Sequence, residues 1–428
     1  MIWIYRIFFF PVLLISLPYY LVRMIKRGGY RQGFGERAGA GFLPQRDSSA
    51  EYRIWLQAVS VGELLAAEPL LRALNRRDGV EIILTTTTSS GYHLAREKLS
   101  EWVTAIRYFP LDSWFFSRVA WRKFSPDLVL HMESEAWPEH LHQARIRGVP
   151  VILLNARLSD RTFSRLQRVR PLARYFVDHF QAFLAASPED ARRWKALGAP
   201  EEKVLLTGNL KCDGRIPRAA SSEDLARWRQ EAGLGEDPIL LGSSTWASEE
   251  EILLQKFAQL REKGHSVRLV LAPRHPERRR EIRSLLGRTS WRVAYRTEEP
   301  PGGEVDIYVV DKIGELARWT EMASVVFIGK SLTRQGGGQS PLEAAALGKA
   351  IVMGPRMNNF RDISRSLVLE NAARRVEDAE SLGTTLEELW RDPAPREALG
   401  AAARAWMERN RGATARTMEY LRDNVFKE

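Results

Sequence analysis

Short apolar runs, each closed by small and polar residues and followed by a segment of helical spacing, recur along most of the chain. The first half places strand candidates at 54–58, 81–86, 127–132, 151–155, 183–186 and 204–207. Helices are expected between them near 64–75, 90–100, 136–147, 160–178 and 188–197. Strands separated by ten or more helical residues pair in parallel, because the crossover must travel back along the sheet before the next strand starts. The pattern breaks at 211–217, passes a helical segment at 222–232, and restarts with strands at 238–241, 267–272, 305–309, 324–328 and 350–353. Helices near 248–263, 276–287, 314–320 and 340–347 intervene, and 387–424 is helical in composition. A chain of 428 residues also exceeds what one core holds, roughly 250–300 residues. The expected architecture is α/β, with two Rossmann-like domains facing each other across a cleft. Its divisions are an N-terminal segment 1–27, a first domain 28–211, a linker 212–237 and a second domain 238–428 that includes the C-terminal helices.

The first segment constrains location. Ile2 to Val22 is apolar apart from Arg6, and the basic residues Arg23, Lys26, Arg27 and Arg31 follow it. About 20 apolar residues are needed to span a bilayer; Pro11 and Pro18 weaken the helix, and Arg6 would have to snorkel. No small-residue cleavage site follows, so the segment is read as a membrane anchor, single-pass or lying in the interface, rather than a secretory signal. The alternative is an amphipathic helix buried on the first domain. Basic residues on the C-terminal flank keep the body of the protein in the cytoplasm. The glycine-rich stretch Gly28–Gly39 lacks the strand that a dinucleotide fingerprint requires and reads as a loop near the membrane surface. The single cysteine, Cys212, excludes an intrachain disulfide framework. A net charge of +11 calls for an anionic partner. That charge follows the anchor and the candidate phosphate loops rather than one basic helix, so nucleic acid is not expected.

Polar residues gather at the same end of successive strands, the edge where open α/β sheets bind ligands. In the first half, Ser60-Val61-Gly62-Glu63 closes one strand and opens a helix. Glu63 is placed there either for acid/base work or simply as a first-turn acid favoured by the helix dipole. The run from Thr85 to Gly91 follows the next strand. His131-Met132-Glu133-Ser134-Glu135 brings two acids to a third strand end, Asn155-Ala156-Arg157 an amide and a guanidinium to a fourth, and Gly208-Asn209-Leu210-Lys211 a cation to the last. In the second half, Gly242-Ser243-Ser244-Thr245 offers amides and hydroxyls for a phosphate, and Pro273-Arg274-His275-Pro276 a bidentate guanidinium. Ile313-Gly314-Glu315, Gly329-Lys330-Ser331 and the run from Gly336 to Glu343 complete the series; there Pro341 suits a first helical turn, and Glu343 can accept from ribose hydroxyls. Together these loops describe a nucleotide site.

Sharper motifs fail. Ser324 stands where a Walker A loop ending in Gly329-Lys330-Ser331 needs its first glycine. No His-Glu-x-x-His, Cys/His cluster or Gly-x-Ser-x-Gly elbow is present. His140 and His142, two apart on a helix, cannot converge on one metal.

Six of these motifs occur in one order: Ser60–Glu63, Met132–Pro138, Asn155–Ser159, Gly208–Lys211, Pro273–Pro276 and Ser340–Glu343. In that combination, from about Tyr30 to the C-terminal helices, the chain closely resembles the lipid A Kdo transferases, membrane-anchored GT-B glycosyltransferases of lipopolysaccharide assembly. The resemblance implies transfer of 3-deoxy-D-manno-oct-2-ulosonate (Kdo) from CMP-Kdo to the lipid A precursor with inversion, without a metal or other cofactor, at the cytoplasmic face of the inner membrane. It implies Glu63 as catalytic base and Glu133 and Lys211 as transition-state stabilising positions. Its CMP contacts fall on Pro273 and Arg274, on Ile313, Gly314 and Glu315, and on Ser340, Pro341, Leu342 and Glu343. The chain departs from the family pattern at Gln339 and Ser340, where His and Asn are frequent, which leaves the contacts of those two side chains open. Two rival readings remain: a GT-B enzyme using a UDP-sugar, and a non-catalytic membrane adaptor that binds nucleotide or anionic lipid.

Overall fold

The computed structural model describes residues 1–27, 33–39, 43–214 and 220–426; residues 28–32 of the expected loop 28–39 and the linker residues 215–219 lie outside them, and within the rest of that loop Phe34–Arg37 forms one helical turn. The chain divides into two compact units, Met1–Arg215 with Asn410–Glu428, and Ile216–Arg409.

The first unit holds a seven-stranded parallel sheet in the order β3-β2-β1-β4-β5-β6-β7. Its strands are β1 (Tyr52–Gln57), β2 (Val80–Thr86), β3 (Ala105–Tyr108), β4 (Leu128–Met132), β5 (Val151–Ala156), β6 (Ala182–Ala185) and β7 (Val204–Leu206). Alternate residues feed two cores, as the period of two requires. Ile54, Leu56, Leu84, Leu130 and Leu154 pack with Leu64, Leu70 and Leu74 of the helix Val61–Asn75 on one face. Trp55, Val129, Leu153 and Phe183 pack with Trp121, Leu141 and Val177 on the other. Both faces are covered, so the central strands read as unbroken apolar runs.

The second unit repeats the scheme in the order β10-β11-β9-β8-β12-β13-β14. Its strands are β8 (Ile239–Thr245), β9 (Arg268–Pro273), β10 (Val293–Tyr295), β11 (Ile307–Val309), β12 (Val325–Ile328), β13 (Ala350–Met353) and β14 (Arg374–Arg375). In each sheet the strand order reverses beside its first strand, between β1 and β4 and between β8 and β12.

Two expectations about the domain bounds are corrected. The last helix, Ala413–Asn424, belongs to the first unit, not the second. Ala413, Leu421 and Phe426 enter the first unit's core, and the Asp213 carboxylate accepts from the amides of Gly412, at 2.7 Å, and Thr414, at 2.5 Å. The helix Ser222–Glu231, expected in a linker, belongs to the second unit.

At the other end, Ile2–Arg27 is one helix with Pro11 and Pro18 inside it, and no helix among the described residues is long and apolar enough to cross a membrane. Arg6 does not snorkel. Its guanidinium grips the fully buried Glu139 carboxylate with two bonds of 2.8 and 2.9 Å. The Tyr5 hydroxyl lies 2.7 Å from the Asp112 carboxylate, which also accepts from the Glu139 and His140 amides and so caps the helix Pro138–Arg147. Those two polar side chains fasten the helix to the first unit, leaving Trp3, Ile4, Ile7, Phe8, Leu14 and Ile15 exposed.

Substituting Arg6→Met should lower the thermal midpoint by an amount equivalent to about 3 kcal/mol, because Glu139 is left buried and unpaired. The double variant Arg6→Met/Glu139→Gln should recover most of that loss; equal midpoints for the single and double variants would show that the pair does not carry the docking.

Candidate active site

In the first unit the site is built at the strand-order reversal. The turn after β1 ends in Ser60, whose hydroxyl caps the helix Val61–Asn75, and Glu63 lies in that helix's first turn. The Glu63 carboxylate reaches back to the Val59 amide and the Ser60 hydroxyl, both at 2.8 Å, so the local capping function foreseen for a first-turn acid is present. It does not exhaust the residue. Burial and then the charge of Glu133 push the Glu63 carboxyl up to about 7, against the pull of those two bonds and of Lys211.

Glu133 follows β4 across the reversal, in the left-handed region at φ 58°; Asn155, near the end of β5 where the pairing with β6 shifts register, shares that conformation at φ 49°. The Glu133 amide donates to the Leu154 carbonyl at 2.8 Å, and its carboxylate accepts from Lys211 Nζ at 2.8 Å and Arg157 at 3.3 Å. Burial would raise this carboxyl, but the two cations outweigh it and hold it below the ordinary range. Lys211 is placed in turn by Asn155, whose Oδ1 accepts from the Leu210 amide at 3.1 Å. Glu135 is a third acid here, pushed to about 7 by burial and by Glu63. Glu63, Glu133 and Lys211 therefore form one electrostatic group. Arg157 completes it; the sequence put a guanidinium at that strand end, but only the coordinates tie it to Glu133.

The second unit gathers the remaining predicted residues at the C-terminal ends of β11, β9, β8 and β12, four neighbours in its sheet. Pro273 ends β9, and Arg274 follows it, exposed and, among the described residues, without an acidic partner. Ser340 and Pro341 lead into the short helix Leu342–Ala346, and Ser340 Oγ accepts from the Leu342 amide at 3.3 Å. Glu343 Oε1 is buried with no hydrogen-bond partner among the described residues, and burial alone raises its carboxyl to about 7. Thr245 Oγ1, at the end of β8, and Trp246 Nε1, just after it, are also buried and unpartnered among the described residues. Unsatisfied buried polar atoms are uncommon in a finished structure and mark where a ligand can bond. Gly314 takes φ 93° and Ile313 is 81 % exposed. The Glu315 side chain is already committed to Arg296, at 2.6 Å, and Lys312, at 3.0 Å, which leaves backbone groups for a ligand at that loop.

The UDP-GlcNAc 2-epimerase of Neisseria meningitidis superposes with a TM-score of 0.60 at 15 % identity, covering 87 % of this chain and all of that one, which shows the fold. Two parallel α/β units with polar strand ends define a protein of the GT-B class. A 3-deoxy-D-manno-octulosonic acid transferase of Haemophilus influenzae is 31 % identical over 433 residues, 98 % of either chain. That of Bordetella pertussis is 32 % identical over 86 % of this chain and 87 % of its own. The family model of the 3-deoxy-D-manno-octulosonic-acid transferases (kdotransferases) matches residues 32–214. The chain belongs to this family of glycosyltransferases.

The Glu133 pairing makes a pH-resolved prediction. A carboxyl held low in the fold stabilises above its unfolded value, near 4.3, and loses that contribution as pH falls through the folded value. Lys211→Met should therefore cost about 1–3 kcal/mol at pH 7.5, with Arg157 still in place. The gap between variant and wild type should narrow toward pH 4 in thermal melts; a gap independent of pH would detach Lys211 from the Glu133 charge.

Proposed function

We propose that this enzyme transfers Kdo from CMP-Kdo to a glucosamine hydroxyl of the lipid A precursor with inversion of the anomeric centre. The observation that carries the reading is Glu63: a buried carboxyl poised near neutrality, beside a Glu133 that Lys211 and Arg157 hold charged. An acceptor hydroxyl is a weak nucleophile, and a carboxylate with a value near the working pH is an effective general base. As the acceptor oxygen bonds to the anomeric carbon of Kdo, its proton passes to Glu63. The bond from that carbon to the phosphate oxygen breaks, and CMP leaves with the electron pair. One displacement on one face inverts the centre. Glu133 and Lys211 act as stabilising groups, and the negative charge growing on CMP falls to Arg274 and to backbone amides of the second unit, with no step given to a metal.

Pro273, Arg274, the Ile313–Glu315 backbone and the segment from Ser340 to Glu343 are assigned to the nucleotide. Glu343, buried with an unpartnered oxygen, is suited to accept from a ribose hydroxyl. The N-terminal helix is assigned to the cytoplasmic face of the inner membrane as an interfacial element. Its exposed face of Trp3, Ile4, Ile7 and Phe8 supports that reading, with Trp114 and Phe115, which follow the docking residue Asp112 closely in the chain.

With CMP-Kdo and tetraacyl precursor, mass spectrometry should detect Kdo-bearing lipid and free CMP, and CMP should inhibit far better than UDP. The value of kcat/KM should rise with pH through about 7, as Glu63 loses its proton. Glu63→Gln should lower turnover by at least about a hundredfold while leaving inhibition by CMP unchanged. Retained turnover in that variant would remove Glu63 from the base role, and equal inhibition by UDP would overturn the donor.

A further inference from the structure

In the loop Gly329–Leu332 after β12, three successive amides converge on one carboxylate from another element. Glu249 opens the helix Glu249–Glu262 and is completely buried. One of its oxygens accepts from Trp246 N at 3.0 Å and Lys330 N at 2.7 Å, the other from Ser331 N at 2.9 Å and Leu332 N at 3.0 Å. A first-turn acid serving only its own helix would not reach across the sheet to fill a neighbouring loop's nest of amides. The loop is gripped from its other side as well. Gly329 N donates to Ser243 O at 2.8 Å, Gly338 N to Lys330 O and Gln339 N to Gly329 O, both at 3.0 Å. A side chain at Gly329 would collide with the Ser244 carbonyl, its Cβ arriving 2.2 Å away.

The residue this clamp fixes is a lysine in a conformation lysines avoid. Lys330 has φ 59°, in the left-handed region that costs a non-glycine residue about 1 kcal/mol or more. Its ammonium stands 4.3 Å from the centre of the Trp246 ring and has no acidic partner among the described residues. Most other basic side chains around this sheet are neutralised: Arg278 by Glu250, Arg279 by Asp311, Arg296 by Glu315. Lys330 after β12 and Arg274 after β9, on the two strands that flank β8, have no acidic partner among the described residues; neither have Arg334, exposed in the same loop, and Arg356 after β13, whose guanidinium donates to the Leu332 carbonyl.

We propose that Lys330 binds an anionic group of the donor, held in place by Glu249 acting as a positioning residue. This rests on reading the second unit as the donor side. A CMP-linked acidic sugar carries two such groups, the phosphate and the sugar carboxylate, and Arg274 on its own meets one of them. Strain is retained in the Gly329–Leu332 loop because Glu249 over-determines the backbone, and the return is a preset cation that needs no reorganisation when the donor arrives.

The test uses the full-length enzyme with CMP-Kdo and tetraacyl acceptor. Lys330→Met keeps the stem and removes the charge; it should raise the KM for CMP-Kdo about tenfold and leave the KM for the acceptor unchanged. The Ki of CMP separates the two anions: raised in step, it assigns Lys330 to the phosphate, and unchanged, to the sugar carboxylate. Glu249→Gln should raise the donor KM comparably, and adding Lys330→Met to it should add little, as for residues acting through one group. A donor KM in Lys330→Met within twofold of wild type overturns the proposal, whether or not Glu249→Gln folds. A merely structural Glu249 would lower the thermal midpoint without moving the donor KM. If wild type itself neither uses CMP-Kdo nor is inhibited by CMP, the donor reading fails instead, and this outcome is distinct from the others.

Discussion

A buried carboxylate keeps its charge where cations or hydrogen-bond donors are brought to it, and in the first unit the cations govern the whole site. Glu133 stays ionised because Lys211 and Arg157 arrive from two further strand ends. Once fixed, its charge works on its neighbours: Glu63, already desolvated, becomes harder to ionise, and its carboxyl rises to the range where a base exchanges protons readily. Without Glu133, burial alone would raise the Glu63 carboxyl, and without Lys211 and Arg157 the Glu133 charge would be uncompensated. The left-handed backbone at Glu133 and Asn155 belongs to the same arrangement, since Glu133 turns off the end of β4 and Asn155 sits at an irregularity in β5 from which its side chain accepts from the Leu210 amide.

The two units place a glutamate at matching points, in the first helical turn after the first strand of each sheet and beside the strand-order reversal, and use it in opposite ways. Glu63 makes two local bonds and remains titratable, whereas Glu249 spends both oxygens on four backbone amides. One position in the topology thus yields a reactive group in one half and a structural clamp in the other. The difference lies in the facing loop. After β4, that loop presents the like charge of Glu133; after β12, it presents three amides. Topology fixes where a carboxylate can stand, and the opposite strand end decides what it becomes.

The doubling of the fold was legible because central strands buried on both faces appear as apolar runs, and the candidate strands at 54–58, 151–155 and 350–353 meet observed ones. The short edge strands β3, β10 and β14 were not, since a few residues such as Ala105-Ile106-Arg107-Tyr108 carry too little pattern to stand out. The helix Trp114–Phe124 was missed because its aromatic and basic residues blur the apolar stripe. Contacts between distant segments were the least readable. Nothing near Ala413 signals that Asp213 will hold it, and nothing near Lys330 signals Glu249. In the site, strand-end position pointed to Glu63, Glu133 and Lys211, which the fold brings into one electrostatic group. The commitment of Glu315 to Arg296 and the pairing of Arg6 with Glu139 depended on partners far along the chain.

The N-terminal helix shows how little polar contact is needed to orient an apolar element. Tyr5 and Arg6 are adjacent in sequence and meet Asp112 and Glu139, which are themselves linked because the Asp112 carboxylate accepts from the Glu139 amide. Two neighbouring side chains on one side of a helix fix its rotation about its axis. Residues three and four positions apart then line up on the free side, as Trp3, Ile7 and Phe10 do, and beside them Ile4 and Phe8. An arginine that sequence reasoning treats as a defect in an apolar segment is, in the fold, what determines which face of that segment is left uncovered. The cost of burying Glu139 is offset by the bidentate pair, so the apolar face does not have to pack against the unit for the helix to stay attached.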